Sequence, residues 1–258
     1  MALQKIDTYP FSVAPFDDDF TGHLSWGVLG KHILSCAERH AGARQFDSMQ
    51  RNGHQYLWVL SRMIIEMEQW PYLDEEYSIA TWIRRYYYYF TDRCFDVMNA
   101  QQQVIGRVFT IWAMIDGTTR EPQMLQELFG KTFDPYIDLE RPYSAPSFSR
   151  IKQQSEQPIA TREPHYSDID QNGHVNSIRY IEYLLDLFPK ERFATQQVSR
   201  MEITYNCETY ADEMLSFYID PLSANDYHVT IRKNVGSEQH PKGQVVCHSA
   251  LTFSNRTS

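Results

Sequence analysis

Apolar residues recur at three- and four-residue spacing in two distant stretches of the chain, and this spacing favours amphipathic helices. The clearer stretch spans 178–188, and the other lies near 24–40. The apolar face of the clearer stretch consists of Ile178, Ile181, Leu184, Leu185 and Phe188. The pattern predicts two helices that each bury one face.

Runs rich in valine, isoleucine, tyrosine, phenylalanine and threonine follow each predicted helix, a composition typical of β-strands. After the first helix they predict strands at 56–68, 76–84, 86–98 and 104–115. After the second helix they predict strands at 196–205, 213–219, 227–233 and 244–253. One helix against an antiparallel sheet, formed twice, predicts an α+β fold.

The two halves of the chain also match each other in sequence, which indicates an internal repeat. A shift of 151 positions superimposes Asp17, Asp19, Gly22 and His23 on Asp168, Asp170, Gly173 and His174. A shift of 138 positions superimposes Ser61-Arg62-Met63, Tyr72 and Glu75 on Ser199-Arg200-Met201, Tyr210 and Glu213. We therefore predict an N-terminal repeat at 1–120, a linker at 121–158 and a C-terminal repeat at 159–258.

The composition indicates a folded protein, since 42% of the 258 residues are hydrophobic and 14% are aromatic. The sequence has no apolar stretch of the length that crosses a bilayer, and its start lacks the apolar core of a signal peptide. The four cysteines have no paired spacing, which suits free thiols in a reducing cytosol and disfavours a zinc site. We expect a cytoplasmic protein without a metal ion or cofactor.

The formal net charge of −9 disfavours nucleic acid and anionic membrane surfaces as partners. It also opposes an acidic protein partner at long range. Such a partner would need a local basic patch on this protein.

The segment that precedes the second predicted helix carries the candidate chemistry. Polar side chains stand at every second position, at Asp170, Asn172, His174 and Asn176. They bring an acid, amides and an imidazole to a helix start, where free backbone N–H groups favour developing negative charge. This combination is typical of a catalytic site.

Two other interpretations fit the same segment. Asp168, Asp170, Asn172 and Gly173 occupy the first, third, fifth and sixth places of an EF-hand calcium loop, but Arg179 stands where the bidentate glutamate belongs. A cation at that place would repel calcium, so we expect no calcium binding. The other interpretation is a polar turn, capped by Asn176 or Ser177, with no chemical role.

The motif Asp170-x-Asn172-x-His174-Val175-Asn176, followed by Arg179-Tyr180-Ile181, resembles the acyl-acyl carrier protein thioesterases of plant plastids and bacteria. The runs 57–63, 111–116 and 203–208 are similar to other parts of that family. The resemblance implies a tandem (double) hotdog, in which a curved antiparallel sheet wraps a long helix in each repeat. It implies hydrolysis of a fatty acyl thioester of acyl carrier protein, with an acyl pocket in the first repeat and catalytic groups in the second.

Carried over residue by residue, the resemblance implies catalytic roles for Asp170, Asn172, His174 and Glu208. We expect Glu208 to activate water and His174 to act as its hydrogen-bond partner or proton carrier, although the sequence leaves open which of the two takes the proton. Asn172 or backbone N–H groups would hold the carbonyl oxygen or the water, and Asp170 would orient Asn172 or His174. We also expect Asn176 and Thr209 to contact the substrate.

A cysteine of some family members, once assigned as the nucleophile, is replaced here by Thr209. Cys207 lies two positions earlier, opposite a family arginine. This departure disfavours a cysteine nucleophile and leaves water activation by a carboxylate intact.

The first repeat retains only part of the polar set. Thr21, Ser25 and Trp70 stand where the second repeat has Asn172, Asn176 and Glu208. We therefore expect His23 to be structural, and we expect the aromatic run 86–90 to fill both faces of a central strand.

Other functions remain open at this point. An acyl-coenzyme A thioesterase would use the same fold and groups, and a non-enzymatic acyl-thioester-binding module is a further alternative. Hydratases and dehydratases of this fold place histidine five residues after the aspartate, whereas Asp170 and His174 are four apart. The expected partner is acyl carrier protein, and a homodimer is compatible with the sequence.

Overall fold

The computed structural model describes residues 4–51, 53–141, 143, 146–237 and 241–256. The chain forms two compact units, Met1–Pro146 and Ser147–Ser258. Each contains helices and an antiparallel sheet, as the α+β prediction requires. No helix in the described part of the chain is long and apolar enough to cross a membrane.

The first unit holds one long helix and one short helix beside its strands. Its elements are β1 (Ile6–Ser12), α1 (Trp26–Ala43), β2 (Met49–Arg51), β3 (His54–Met67), β4 (Glu76–Tyr87), β5 (Phe90–Asn99), β6 (Val104–Asp116) and α2 (Leu125–Phe129). Its strands are hydrogen-bonded in the order β1-β4-β5-β6-β3, and β2 pairs with β3. Every one of these pairings is antiparallel.

The long helix α1 confirms the helix predicted near 24–40. It begins where the Ser25 hydroxyl accepts a hydrogen bond from the N–H of Val28. The face that it buries includes Leu29, Ile33, Cys36 and Ala37. Just beyond its end, the Arg44 guanidinium donates to both carboxylate oxygens of Asp7 on β1, at 2.8 and 3.1 Å.

The second unit repeats the arrangement with a shorter helix. Its elements are β7 (Ala160–Arg162), α3 (Ser177–Leu185), α4 (Lys190–Phe193), β8 (Gln196–Tyr205), β9 (Leu215–Pro221), β10 (Asp226–Lys233) and β11 (Gln244–Asn255). The strand order is β8-β11-β10-β9-β7, again antiparallel. Rings of α3 pack on the sheet: Tyr180 contacts Tyr205, and Tyr183 contacts Phe217.

The helix α3 confirms the prediction at its start, but it ends at Leu185 and not at Phe188. Pro189 follows Phe188, and the residue before a proline is disfavoured in the helical conformation. Phe188 is nevertheless buried, against the rings of Tyr227 and Phe253. The prediction that Phe188 is buried is confirmed, although it lies outside the helix.

The aromatic run 86–90 corrects an expectation. Tyr87 pairs with Phe90, so Tyr88 and Tyr89 form the turn between β4 and β5 instead of filling a strand. Tyr88 has a φ of 47° and is 71% exposed. The turn lacks the glycine, asparagine or aspartate that usually marks such a position, and the aromatic composition therefore favoured a continuous strand.

Strand β1 was not predicted. It pairs with β4 from Ile6–Trp82 to Ser12–Glu76. It contains Pro10, which cannot donate to a neighbouring strand. In the strand order of the first unit, β1 is hydrogen-bonded to one strand, β4, so the missing N–H of Pro10 is tolerated.

The segment predicted as a linker, 121–158, is shared between the two units. Leu125 and Phe133 are fully buried in the first unit with Phe46. Further along, the Ser149 N–H and hydroxyl donate to the buried Glu202 carboxylate at 2.7 and 3.0 Å. The short helix α2 gives too few residues for a periodic pattern, which is why the sequence indicated only a connection.

Replacing Phe133 with leucine is expected to destabilise the protein by about 1–2 kcal/mol, because it removes ring atoms from a buried site. The Phe133 ring lies 4.2 Å from that of Phe46 and 5.0 Å from that of Tyr86, between ring centroids. The measurement is urea-induced unfolding. Leu139→Ala is the control, since Leu139 is 69% exposed and should cost less than about 0.5 kcal/mol. Equal effects of the two changes would show that 121–146 contributes little to folding.

Candidate active site

The loop before α3 is shaped by Asp170. Its carboxylate oxygen Oδ1 accepts hydrogen bonds from the backbone N–H of Asn172 at 2.8 Å and of His174 at 3.4 Å. Its own N–H donates to the carbonyl of His174 at 2.8 Å. Gly173 takes a φ of 83°, a left-handed conformation that suits glycine. Asp170 therefore positions the backbone of His174.

The start of α3 is joined to the segment that follows β8. The N–H of Val175 donates to the carbonyl of Thr209 at 2.8 Å, and the N–H of Asn176 donates to the carbonyl of Asp168 at 2.8 Å. The Asn176 side-chain oxygen caps the helix by accepting from the N–H of Ile178 at 2.9 Å. These bonds hold the loop and the segment around Glu208 in one arrangement.

His174 and Glu208 meet at this junction. His174 Nε2 lies 3.4 Å from Glu208 Oε2, and the two side chains are 17% and 33% exposed. The imidazole also packs edge-on against the Tyr210 ring, with centroids 4.9 Å apart. A partly buried carboxylate beside an imidazole can exchange a proton with a bound water, which is the chemistry that hydrolysis needs.

The segment that carries Glu208 is held by three residues that the sequence did not single out as functional. Lys233 Nζ donates to the Glu208 carbonyl at 2.6 Å and to Glu213 Oε2 at 2.8 Å. The N–H of Tyr210 also donates to Glu213, at 2.9 Å. Tyr210 and Glu213 were visible only as matches to Tyr72 and Glu75 in the internal repeat.

The Glu213 carboxylate is ionised in this arrangement. Partial burial raises its pKa, but hydrogen bonds from Lys233, from the N–H of Tyr210 and from Asn234 outweigh burial and lower the pKa below its ordinary value. The charge of Glu213 is thus matched by Lys233, and the pair supports the site without joining its chemistry.

Two of the predicted site residues, Asn172 and Thr209, differ in exposure from the partly buried His174 and Glu208. Asn172 is exposed, and its backbone N–H is bonded to Asp170. Thr209 is fully buried behind the site. The geometry therefore brings His174 and Glu208 together, while Asp170 shapes the loop and Asn176 caps the helix.

The Cys207 thiol is poorly suited to nucleophilic attack. It is half-buried, and its Sγ lies 3.3 Å from the carbonyl oxygen of Val245. Burial raises the pKa of this thiol, although the nearby Lys233 opposes the shift. A raised pKa leaves little thiolate at neutral pH.

Arg179 occupies the twelfth place of the calcium-loop pattern. Its Nε and Nη2 atoms donate to the carbonyl of Ser167 at 3.1 and 2.9 Å, Nε lies 3.4 Å from Asp168 Oδ1, and Nη1 pairs with Glu182. Within the described residues, no group of three or more histidine, cysteine, aspartate and glutamate side chains is placed to hold a metal ion.

The first unit contains the same loop, but it has no counterpart of the Glu208 carboxylate. The N–H of Asp19 donates to the carbonyl of His23 at 2.8 Å, and the His23 ring packs edge-on against Tyr72 at 5.1 Å. The position of Glu208 is taken by Trp70, whose ring packs against Trp26 at 4.8 Å. The loops of the two repeats thus share the backbone hydrogen bond between the aspartate N–H and the histidine carbonyl. Only the second repeat has an acid at the position of Glu208.

The first unit also contains a cavity of about 310 Å³ that is partly open to solvent. Helix α1 and residues of β3 to β6 contribute to its wall. Its apolar and aromatic lining consists of Leu34, Ala37, Ala41, Phe46, Trp58, Ile83, Trp112 and Phe133. Polar and charged side chains also line it, namely Glu38, Asp47, Ser48, Thr91 and Arg93. The apolar and aromatic part of the wall suits an alkyl chain.

Comparison with known proteins gives consistent matches over both units. A family model for the acyl-ACP thioesterase N-terminal domain matches residues 6–132, and one for the acyl-ACP thioesterase C-terminal domain matches residues 149–255. An oleoyl-acyl carrier protein thioesterase of Coriandrum sativum chloroplasts is 26% identical over 196 residues, which cover 71% of this chain and 52% of that protein. The chain thus spans about half the length of the curated relatives it matches.

Solved structures agree. A crystal structure of an acyl-ACP thioesterase from Bacteroides thetaiotaomicron is 44% identical, with a TM-score of 0.87 and coverage of 97% of this chain and 98% of that one. A 12:0-ACP thioesterase from Umbellularia californica is 14% identical, with a TM-score of 0.84 and coverage of 99% and 100%, and it shows the shared fold. The tandem hotdog expected from the sequence is confirmed.

Proposed function

The chain belongs to the acyl-ACP thioesterase family, and from that premise we propose that it hydrolyses the thioester of a fatty acyl-acyl carrier protein, releasing a free fatty acid. The observation that carries the proposal is the His174–Glu208 pair, 3.4 Å apart, in the part of the chain that matches the family's C-terminal domain. Its single occurrence in the two repeats supports one catalytic centre.

In the proposed reaction, Glu208 accepts a proton from water as the water attacks the thioester carbonyl carbon. His174, held by the backbone bonds of the Asp170 loop, shares that proton and delivers it to the departing thiolate sulfur. The partial burial of both side chains strengthens their interaction relative to that in bulk water. The carbon–sulfur bond breaks, and the acid and the carrier thiol leave.

Negative charge develops on the carbonyl oxygen in the tetrahedral intermediate and needs hydrogen-bond donors. In the proposal, the start of α3 and the exposed Asn172 carboxamide lie on the side from which a substrate enters. Asn176 contributes by capping α3, since its side-chain oxygen is bonded to the N–H of Ile178. Its effect on a substrate is thus through the position of the helix start.

The proposal assigns the acyl chain to the cavity of the first unit. Apolar and aromatic walls exclude water and reward burial of each methylene by about 0.8 kcal/mol. The cavity would set the preferred chain length, while the second unit supplies acid–base chemistry. Acyl carrier protein is the proposed partner and the cytoplasm the proposed location, and a homodimer remains part of the same proposal.

The test is release of thiol from purified protein supplied with acyl-acyl carrier protein and acyl-coenzyme A thioesters of several chain lengths. We expect kcat/KM to be higher for the carrier-protein thioesters at every length. Higher values for coenzyme A would make the protein an acyl-coenzyme A thioesterase. Binding of acyl thioesters without thiol release would show a non-enzymatic module.

A further inference from the structure

A buried arginine, Arg93, lies in the wall of the cavity. Arg93, on β5, is 5% exposed and lines the cavity together with Thr91 and Trp112. Its Nη1 donates to the buried Thr81 hydroxyl at 3.3 Å. Among the residues that the structure describes, no carboxylate forms an ion pair with Arg93. A buried cation without a counter-ion is costly, so such a group indicates a ligand.

The carboxylates nearby are matched by other cations. Asp7 is bound by both terminal nitrogens of Arg44. Asp92, next to Arg93 in the sequence, accepts from Arg85 at 2.5 Å and from the Tyr87 hydroxyl at 3.0 Å.

Asp96, which follows Arg93 in the sequence, is paired with Arg141 at 2.5 Å. Glu38 and Asp47 also line the cavity, but both are exposed, and solvent screens their charges. None of these acids neutralises Arg93.

Arg93 keeps its charge at neutral pH, and its buried neighbour His40 is neutral. Burial, together with the charge of Arg44, lowers the pKa of Arg93 to about 10, so the guanidinium is still charged at neutral pH. His40 is fully buried, and burial with the two arginine charges lowers its pKa to about 3, so it is neutral. Neither His40 nor Arg44 supplies a negative charge to Arg93.

We propose that Arg93 holds the carboxylate of an alkyl-chain ligand inside this cavity, with the chain packed along the apolar and aromatic wall. The inference rests on the proposed function for the assignment of the cavity to alkyl chains. The carboxylate has two sources: the far end of an acyl chain that carries a terminal carboxylate, or the head of a free fatty acid. Both would accept paired hydrogen bonds from the guanidinium.

The first arm of the test compares two acyl-carrier thioesters of equal carbon count, one ending in a methyl group and one in a carboxylate. For Arg93→Met, the ratio of kcat/KM for the carboxylate-ended substrate to that for the methyl-ended one should fall by about 10- to 100-fold. Arg107→Met is the control, because Arg107 is half-exposed and does not line the cavity. It should leave the ratio unchanged.

The second arm measures the binding of a free fatty acid of the same length by calorimetry. One outcome is that Arg93→Met lowers the affinity for the free fatty acid by about 10- to 100-fold and leaves the kcat/KM ratio of the two thioesters unchanged. In that case the carboxylate comes from the free acid. A change in the first arm assigns it to the acyl terminus. If both quantities in Arg93→Met stay within about twofold of wild type, the proposal is wrong.

Thermal unfolding separates this role from a structural one. Removing a buried charge that has no counter-ion should leave the melting temperature of Arg93→Met unchanged or raise it. A large fall in both Arg93→Met and Arg93→Gln would make Arg93 structural and overturn the inference. If only the methionine variant fails to fold, Arg93→Gln carries both comparisons.

Failure of the proposed function gives a different result. Wild-type protein would then release no thiol from any carrier thioester. The calorimetric comparison with free fatty acids would still decide whether Arg93 binds a carboxylate.

Discussion

Replacing Glu208 with glutamine is expected to lower thioester hydrolysis by about 10²–10⁴-fold, the usual consequence of losing a general base. The amide keeps the size of the carboxylate. In the unmodified protein His174 Nε2 lies 3.4 Å from Glu208 Oε2, and the glutamine can keep this contact. What it loses is the ability to take a proton from water. The fall should therefore appear in kcat, with KM little changed.

Cys207→Ala is the matched comparison, since Cys207 is the neighbouring residue in the chain and is also half-buried. We expect it to cost less than about tenfold, through packing alone, because burial raises the pKa of its thiol. The measurement is steady-state hydrolysis of one good acyl thioester by both variants, with folding checked by circular dichroism. It decides between water activation by Glu208 and attack by the Cys207 thiol. An inactive Cys207→Ala with an active Glu208→Gln, or rapid inactivation by iodoacetamide, would require a mechanism built around the thiol.

The sequence predicts the elements whose patterns arise from burial of one face. Ile178, Ile181 and Leu184 of the predicted apolar face are buried in α3, whereas Leu185 is half-buried. Tyr180 and Tyr183 are buried as well, although the predicted face did not include them. Strand β8 agrees with its predicted range of 196–205 at both ends. The loop motif was found because its acid, amides and imidazole precede a helix start, and the structure brings His174 close to Glu208, which lies 34 positions later.

Features set by tertiary contacts were not predicted. The turn at Tyr88 has no local turn signal, and its conformation follows from the pairing of β4 with β5. Phe133 lies in a segment without periodicity, and only the cluster around Phe46 identifies it as core. Lys233 gives no sign in the sequence of its bond to the Glu208 carbonyl. Long-range partners of this kind require the folded chain.

The role proposed for Arg93 could not be predicted from the sequence either. In the sequence it is one charged residue among apolar and acidic neighbours, between Asp92 and Cys94. Burial and the separate pairing of the neighbouring acids become visible only when the strand is placed against α1 and the cavity. That no described carboxylate pairs with Arg93 is a property of the fold and not of a motif.

Replacing His174 with alanine is expected to lower hydrolysis by about 10²–10⁴-fold, as for loss of a group that transfers a proton. The equivalent change in the first repeat, His23→Ala, should cost less than about tenfold, through positioning alone. The two histidines sit in the same hydrogen-bonded loop, and each packs edge-on against a tyrosine, at 4.9 and 5.1 Å. The loss of packing should thus be similar in both variants.

The difference between them lies in the acid: Glu208 is 3.4 Å from His174, whereas Trp70 takes the matching position in the first repeat. Steady-state kcat of both variants and thermal unfolding of each give the comparison. Similar melting temperatures with unequal kcat would assign the chemistry to the second repeat. Equal loss of kcat in both variants would place acid–base groups in both repeats, because the structural consequences of the two changes are matched and only a second catalytic histidine would make His23→Ala as damaging.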